Sequence, residues 1–320
     1  MKLGLFTAVY GNLPFDEMLD KASALGIEAL ELGAGGFPGS PHLPVAELLA
    51  NPALAKAFVE RLADRGMTIS ALSCHGNPLH PDRATADRDD AIFRRAVELA
   101  ALLNVQTVVT FSGCPGDRGG AITPNWIVTP WPPELADLLA WQWEQVAIPY
   151  WQRTAEFAAT HNVRVALEAH PGFLVYNPET LLRLRAATGP NLGINFDPSH
   201  LFWQGIHIPT AIAALGDAIF HVHAKDLAFQ QHNLQRNGVL DANNYRNVAD
   251  RAWNFRTVGF GHGEQEWREI LSALRTAQYD GVISIEHEDP LLSIDEGVRF
   301  AVDLLKRILP REPAAEAWWA

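Results

Sequence analysis

Three short apolar runs in the second half of the chain each end in carboxylates and histidines. They read VRVALEAH from Val163, LGINFDPSH from Leu192 and IFHVHAKD from Ile219. Strands of a parallel sheet are normally buried on both faces and read as near-continuous hydrophobic runs. Ionisable side chains at the ends of three such runs therefore indicate a shared polar site.

The alternation of side chains along a strand predicts which residues face this site. The predicted inward set is Arg164, Ala166, Glu168 and His170 in the first run, Asn195 and Asp197 in the second, and His221, His223 and Lys225 in the third. Phe220 is predicted to face the opposite way. A fourth run, GVISIEHED, directs Ser284 and Glu286 inward and His287 outward on the same basis.

Three carboxylates and one imidazole are thereby predicted to converge on a single divalent cation. They are Glu168, Asp197, His223 and Glu286. Carboxylates are costly to bury without a partner, and a cation is the natural one. Three oxygen donors to one nitrogen favour Mn²⁺ or Mg²⁺, with Co²⁺ and Zn²⁺ as further candidates, since no thiolate is present. The alternative is a structural ion-pair network with Arg164 and Lys225.

Eight strand patterns separated by helical patterns must position these residues. The strands are predicted at residues 2–7, 27–35, 67–77, 107–113, 163–170, 192–200, 219–226 and 281–289. Strictly alternating strands and helices predict a (β/α)₈ TIM barrel in a single domain, residues 1–320. A doubly wound open sheet is the competing topology, but it would concentrate its site at one switch point. Here polar residues end at least five strands.

Two long connections and the C-terminal tail stand outside this repeat. Residues 113–139 are rich in Gly, Pro and Trp, which predicts a lid or a subunit contact. Residues 227–256 are rich in Asn and Gln and are expected to lie outside the hydrophobic core. The tail, 310–320, carries Trp318 and Trp319 and is expected to pack on the barrel or on another subunit.

Composition excludes several classes of protein. Hydrophobic residues make up 48% of the chain and charged residues 19%, which is typical of a globular enzyme. A formal net charge of −12 argues against nucleic acid as a partner, because polyanion binding requires Lys and Arg. No apolar run approaches membrane-spanning length and the N-terminus does not resemble a signal peptide, so a cytoplasmic location is expected. Cys74 and Cys114 are predicted to be inert buried thiols.

The segments NFDPSH, HVHAKD and FRTVGFGHGEQEWREILSALRTAQYDGVISIEHED resemble the xylose-isomerase-like TIM-barrel superfamily, the sugar phosphate isomerase/epimerase group. The resemblance covers nearly the whole chain and is densest from Glu168 to Asp289. It implies that the four predicted ligands correspond to the family's metal ligands. It also implies that His200 contacts substrate and that Arg256 reaches a substrate oxygen.

The family's epimerases imply a divalent-metal-dependent sugar isomerase or epimerase. Glu168 and Glu286 would be the acid/base pair, moving a proton through a metal-stabilised enediolate. His75 and His200 are expected to orient hydroxyl groups. Glu31 and Lys225 are expected to support the site or to assist proton transfer. Related barrels often form dimers or tetramers, so a homo-oligomer is expected.

Three alternatives accompany this interpretation. The size of the segments 113–139 and 227–256 would suit a bulkier, partly aromatic substrate, as in lyase or deglycosidase subunits that act on oxidised (3-oxo) glycosides and could require a second subunit. A non-catalytic sugar-binding member would lack a metal ligand, whereas all four are present. An enzyme like endonuclease IV would need a positively charged track, which the net charge disfavours.

Overall fold

The computed structural model describes residues 1–315, 317 and 319–320. Eight parallel strands close into a barrel, and two further strands form an antiparallel ribbon. The barrel strands are β1 (Lys2–Phe6), β2 (Ala29–Gly33), β3 (Thr68–Ser73), β4 (Thr107–Phe111), β5 (Arg164–Glu168), β6 (Leu192–Phe196), β7 (Ile219–Ala224) and β10 (Val282–Ile285). The ribbon consists of β8 (Asp226–Phe229) and β9 (Trp253–Arg256).

Helices connect successive barrel strands and surround the barrel. They are α1 (Phe15–Ala24), α2 (Val45–Ala50), α3 (Pro52–Ala63), α4 (Arg83–Leu102), α5 (Pro133–Trp141), α6 (Ile148–Thr160), α7 (Pro178–Thr188), α8 (Ser199–Phe202), α9 (Ile208–Leu215), α10 (Gln231–Asn237), α11 (Glu264–Thr276) and α12 (Ile294–Ile308). The order of the barrel strands is β1-β10-β7-β6-β5-β4-β3-β2, and β1 pairs with both β2 and β10. The prediction of a (β/α)₈ barrel is therefore confirmed, and the open sheet is excluded.

Local sequence signals set the helix ends. Asn51 caps α3 by accepting from the amides of Ala53 and Leu54, and Pro52 occupies the first helical position. Such a cap satisfies amides that have no partner within the helix. Asn177 forms a reciprocal capping box with Thr180 at the start of α7.

Two apolar layers hold the barrel. The outer layer lies between strands and helices, as where α12 buries Val298, Val302 and Leu305 at helical spacing. The inner layer is small near the middle of the barrel, where Ala71, Val109 and Ala166 meet. Small inner residues leave room for the polar side chains that follow them along the same strands.

A bulge between β6 and β7 overturns one predicted orientation. Ile194 pairs with Ile219, but Asn195 pairs with His221, so Phe220 has no partner in the ladder. Its ring turns toward the inner alanine cluster and lies against Gly193, where an added Cβ would meet both that ring and the Ala218 carbonyl oxygen. The prediction that Phe220 faces outward was wrong, because strict alternation requires continuous pairing.

The two long connections contain more regular structure than the sequence predicted. In the first connection the irregular part ends at Pro133, where α5 begins, rather than at residue 139 as predicted. The second contains α10 and the β8–β9 ribbon, and it buries Leu227, Trp253 and Phe255 in a small apolar cluster. The expectation that 227–256 lies outside the core was wrong for these residues, because the ribbon turns one of its faces onto Trp203.

The first residues of the tail lie against the barrel. Arg311 forms an ion pair with Glu28, and the Pro310 carbonyl accepts from the N-terminal ammonium of Met1 at 3.0 Å. Trp318, named in the tail prediction, lies outside the described residues. Cys74 and Cys114 are free and buried, and burial raises the pKa of each thiol to about 12. In the part of the chain that is described, no helix is both long and apolar enough to cross a membrane.

Candidate active site

The four predicted ligands meet at the carboxyl ends of the strands. Glu168 ends β5, Asp197 follows β6, His223 lies in β7 and Glu286 follows β10. One ligand atom from each lies within 4.8 Å of those from the others. Parallel pairing places these positions at neighbouring levels, since Glu168 is opposite Asn195, two residues before Asp197, and His223 is opposite Ser284, two residues before Glu286. The structure brings the whole predicted set together.

The donor set fits a divalent cation. Asp197 Oδ2 and Glu286 Oε2 are buried and, within the described chain, neither accepts a hydrogen bond of acceptable geometry. Their nearest cation is Lys225, whose Nζ lies 3.1 Å and 2.8 Å away, respectively. With the His223 ring neutral, Glu168, Asp197 and Glu286 carry three negative charges against one positive charge on Lys225, so one divalent cation would balance these groups. Uncompensated buried charge is strongly unfavourable, so the arrangement favours a cation among these oxygens.

Three side chains hold the Glu168 carboxylate in place. His75 Nε2 lies 2.9 Å from Oε2, Asn195 Nδ2 donates to the same oxygen at 2.9 Å, and His200 Nε2 lies 3.2 Å from Oε1. Burial alone would raise the pKa of Glu168, but the facing His75 and His223 hold it well below its usual range. The carboxylate is therefore ionised and fixed in direction.

His223 lies between carboxylates on both sides. Its Nε2 is 2.8 Å from Glu31 Oε2, and its Nδ1 is 3.0 Å from Glu286 Oε2 and 3.4 Å from Glu168 Oε2. Burial would lower the pKa of His223, but Glu31, Glu286 and Glu168 raise it well above its ordinary value. A proton on Nδ1 and a metal cation are alternative ways to neutralise the same oxygens.

Lys225 stands at the centre of the cluster and faces the cavity. Besides Asp197 and Glu286, its Nζ lies 3.3 Å from Glu288 Oε2. Burial would lower the pKa of this lysine, but Asp197, Glu286 and Glu288 raise it well above its usual range. The alternative prediction was an ion-pair network with Arg164 and Lys225. Of these two residues, Lys225 joins the carboxylates, whereas Arg164 lies at the opposite end of the barrel.

A cavity of about 600 Å³ opens onto this cluster. Four predicted site residues line it, namely His75, Glu168, Lys225 and Glu286. His200 is buried behind Glu168, and Glu31 is buried behind His223, so neither lines the cavity. Arg256 is held 2.9 Å from Asp289 and does not line it either. Substrate contact by these three residues stays a prediction.

Sequence reasoning missed most of the aromatic wall of the cavity. It consists of Phe6, Phe37, Phe111 and Phe173, with His170 and His287 beside them. Phe111 could have been found, because it shares the inward face of β4 with Val109. Phe37 lies in an irregular segment where alternation gives no signal. His287 was predicted to face outward, but β10 ends at Ile285, so the backbone turns before His287.

Comparison with known proteins agrees with this architecture. The profile of the xylose isomerase-like TIM barrel family matches residues 19–308. The protein YfiH of Bacillus subtilis (strain 168), itself uncharacterised, is 43% identical over 312 residues, which cover 97% of this chain and 99% of YfiH.

Two solved structures share the fold at low identity. One is the probable 3-DHS dehydratase AsbF of Bacillus anthracis, involved in petrobactin synthesis, with a TM-score of 0.67 at 19% identity over 96% of this chain and 99% of that one. The other is D-psicose 3-epimerase from Clostridium cellulolyticum H10 with D-tagatose, with a TM-score of 0.65 at 16% identity over 97% and 99%. With its closed barrel and a profile match over most of its length, the chain belongs to the xylose isomerase-like TIM barrel family.

Proposed function

We propose that this protein is a divalent-metal-dependent isomerase or epimerase of a sugar or sugar derivative. The observation that carries the proposal is the convergence of Glu168, Asp197, His223 and Glu286 beside an open cavity that Glu168 and Glu286 line. The C-terminal face of the barrel strands is where enzymes of this fold place their active sites. The resemblance in fold to D-psicose 3-epimerase supports the same reaction class.

These four residues would hold the cation, which we propose to be Mn²⁺, with Mg²⁺, Co²⁺ and Zn²⁺ as the other candidates. When bound, such a cation supplies Lewis acidity toward a substrate carbonyl and favours negative charge on the adjacent oxygens. The rest of the chemistry falls to side chains of this chain.

Glu168 and Glu286 are the proposed proton-transfer pair. Both line the cavity, so each carboxylate can reach a carbon next to the substrate carbonyl. One carboxylate removes the proton from that carbon, which leaves an enediolate. For isomerisation the same group, now protonated, returns the proton to the neighbouring carbon, and for epimerisation the other carboxylate must enter the step protonated and deliver its proton to the opposite face. Lys225, charged and facing the cavity, stabilises the negative charge that develops on substrate oxygen. His75 orients a hydroxyl group while it holds Glu168.

A second candidate is favoured by the shape of the cavity. A volume of about 600 Å³ and a wall that contains Phe37, Phe111 and Phe173 offer more apolar surface than a free monosaccharide needs. Phe111 and Phe173 stack with ring centroids 4.2 Å apart, and Phe37 is 72% exposed at the rim. A lyase acting on 3-oxo-glycosides would use this wall for the aglycone. The same base would remove the proton next to the carbonyl, a double bond would form, and the β-substituent would leave with a proton.

The test is solvent exchange by the metal-loaded protein. Protein loaded with Mn²⁺ is incubated in D₂O with a panel of ketohexoses and 3-oxo-glycosides, and products are analysed by NMR. We expect deuterium at the carbon next to the carbonyl, and we expect chelation to abolish it. Exchange that is equally fast after chelation, or no exchange with any compound of the panel, would contradict the proposal.

Phe111→Ala separates the two candidates. Removal of this ring should slow turnover of glycosides with an aromatic aglycone far more than turnover of free ketoses, because the aglycone is the part of the substrate proposed to occupy the aromatic wall. An equal effect on both classes would remove the argument for the lyase.

A further inference from the structure

Glu31 lies behind His223 and is held rigidly. The side chain is fully buried, its Oε2 accepts from Ser284 Oγ at 2.9 Å, and its Oε1 accepts from the Ser73 hydroxyl. The same Oε2 lies 2.8 Å from His223 Nε2. The three donors come from β3, β7 and β10, so the position of this carboxylate is fixed by the closed barrel rather than by a flexible loop.

The two ring nitrogens of His223 face different carboxylates, and Asn195 Nδ2 lies 3.2 Å from both nitrogens. Nε2 faces Glu31, whereas Nδ1 faces Glu286 and Glu168 at 3.0 and 3.4 Å. A carboxylate that accepts from two serine hydroxyls acts as an acceptor for the ring as well, so Nε2 carries hydrogen. In the neutral ring the lone pair is then on Nδ1, and it points at the carboxylates proposed to bind the cation.

We propose that Glu31 is a positioning residue, which fixes the tautomer and direction of His223 so that Nδ1 is available to the cation. The inference rests on the proposed function. Histidines that bind metals usually donate their other N–H to a carboxylate, and loss of that partner lowers metal affinity by about 10- to 100-fold. Glu31 thereby acts on the site without lining the cavity.

A second cation between Glu31, His221 and His223 is the competing explanation, since these residues also lie within 4.8 Å of one another. Both nitrogens of His221 already have partners. Nδ1 lies 3.0 Å from Asn195 Oδ1, and Nε2 lies 3.3 Å from Ser70 Oγ. Glu31 in turn accepts from two serines and faces His223 Nε2, so these contacts favour a supporting role for the cluster over a second cation site.

The experiment is a Co²⁺ titration of the metal-free protein, followed by visible absorption and by competition with a chelator. In Glu31→Gln, the neutral amide is a weaker acceptor and can turn its NH₂ toward Nε2, which would place the ring hydrogen on Nδ1. We expect Co²⁺ affinity to fall by about 10- to 100-fold with a changed absorption spectrum. The melting temperature of the metal-free variant should stay close to that of the wild type.

Ser70→Ala is the matched control, because Ser70 is a serine of β3 whose Oγ lies 3.3 Å from His221 Nε2 and, among the described residues, makes no hydrogen bond to Glu31 or His223. Its Co²⁺ affinity should stay near the wild-type value. Wild-type affinity and spectrum in Glu31→Gln would overturn the inference, as would an equal loss in Ser70→Ala. If Glu31→Gln does not fold, Glu31→Asp replaces it, because aspartate keeps the charge on a side chain one methylene shorter. Wild-type Co²⁺ affinity in Glu31→Asp would likewise overturn the inference. Absence of Co²⁺ binding by the wild type would overturn the proposed function together with this inference.

Discussion

The two ends of the barrel interior differ sharply in charge. At the C-terminal end, Glu168, Asp197 and Glu286 converge around Lys225. At the N-terminal end, a cavity of about 300 Å³ is lined by hydroxyl, amide and apolar groups and by Lys2, Arg164 and His221, and its described lining contains no carboxylate. The same strands run through both ends, so the difference in charge lies in which residues begin and which end each strand. For example, β5 begins at Arg164 and ends at Glu168.

The N-terminal end is stable without a partner from outside the chain. The Arg164 guanidinium lies 4.6 Å over the Phe220 ring and donates to Thr107 Oγ1 at 3.4 Å. Its half-buried charge is thus met by a ring and a hydroxyl. The C-terminal end has more negative than positive charge and two carboxylate oxygens without hydrogen bonds in the described chain. The N-terminal end is thus balanced by its own residues, whereas the C-terminal end has the excess negative charge that the proposed cation would neutralise.

The largest effect is expected from neutralising the proton-transfer pair. Glu168→Gln and Glu286→Gln should each reduce turnover by at least about 10³-fold, since each variant removes both a proton carrier and a ligand of the proposed cation. The circular dichroism spectrum should remain that of the wild type. Full activity of both variants on a substrate of the wild type would refute the assignment.

A smaller effect on activity but a large effect on stability is expected from Lys225→Met. Loss of the ammonium removes the nearest cation from Asp197 and Glu286, whose remaining neighbours are His200 at 3.3 Å and His223 at 3.0 Å, respectively. This loss should lower the unfolding free energy of the metal-free protein by about 3–5 kcal/mol. Saturating Mn²⁺ should restore part of this loss. Urea denaturation with and without Mn²⁺ measures both values, and an unchanged midpoint would show that the carboxylates are not balanced by Lys225.

The smallest effect is expected at the opposite end. Arg164→Gln removes a cation–π contact worth about 0.5–1 kcal/mol and no contact with the candidate site. Unfolding free energy should fall by about that amount, and Mn²⁺ affinity should be unchanged. A loss of Mn²⁺ binding as large as that in Glu286→Gln would show that the two ends are coupled.

Most of the polar residues at the C-terminal end of the barrel could be predicted from the sequence. Alternation along β5, β6 and β7 and at the end of β10 identified Glu168, Asp197, His223 and Glu286 as one group, because the carboxyl ends of parallel strands meet at one rim. Alternation also placed Arg164 with them. Alternation predicts which face of the strand a residue is on, but not how far along the barrel axis it lies. Arg164 begins β5 and Glu168 ends it, so the two side chains lie at opposite ends of the barrel.

Other features depend on contacts that single-strand patterns do not contain. The orientation of Phe220 follows from a bulge in its pairing with β6. The approach of Phe37 to the cavity follows from an irregular segment after β2. The burial of Trp253 and Phe255 follows from a ribbon whose partner strand, β8, is more than twenty residues away in sequence.

The most direct test of the account is a Mn²⁺ titration of the metal-free protein, followed by electron paramagnetic resonance of free Mn²⁺. Asp197→Asn is the matched variant, because Asp197 belongs to the cluster but does not line the cavity. We predict one bound Mn²⁺ per wild-type chain and loss of that site in Asp197→Asn. A wild-type chain that leaves all the Mn²⁺ free, or an Asp197→Asn chain that binds it equally well, would contradict a metal centre at this end of the barrel.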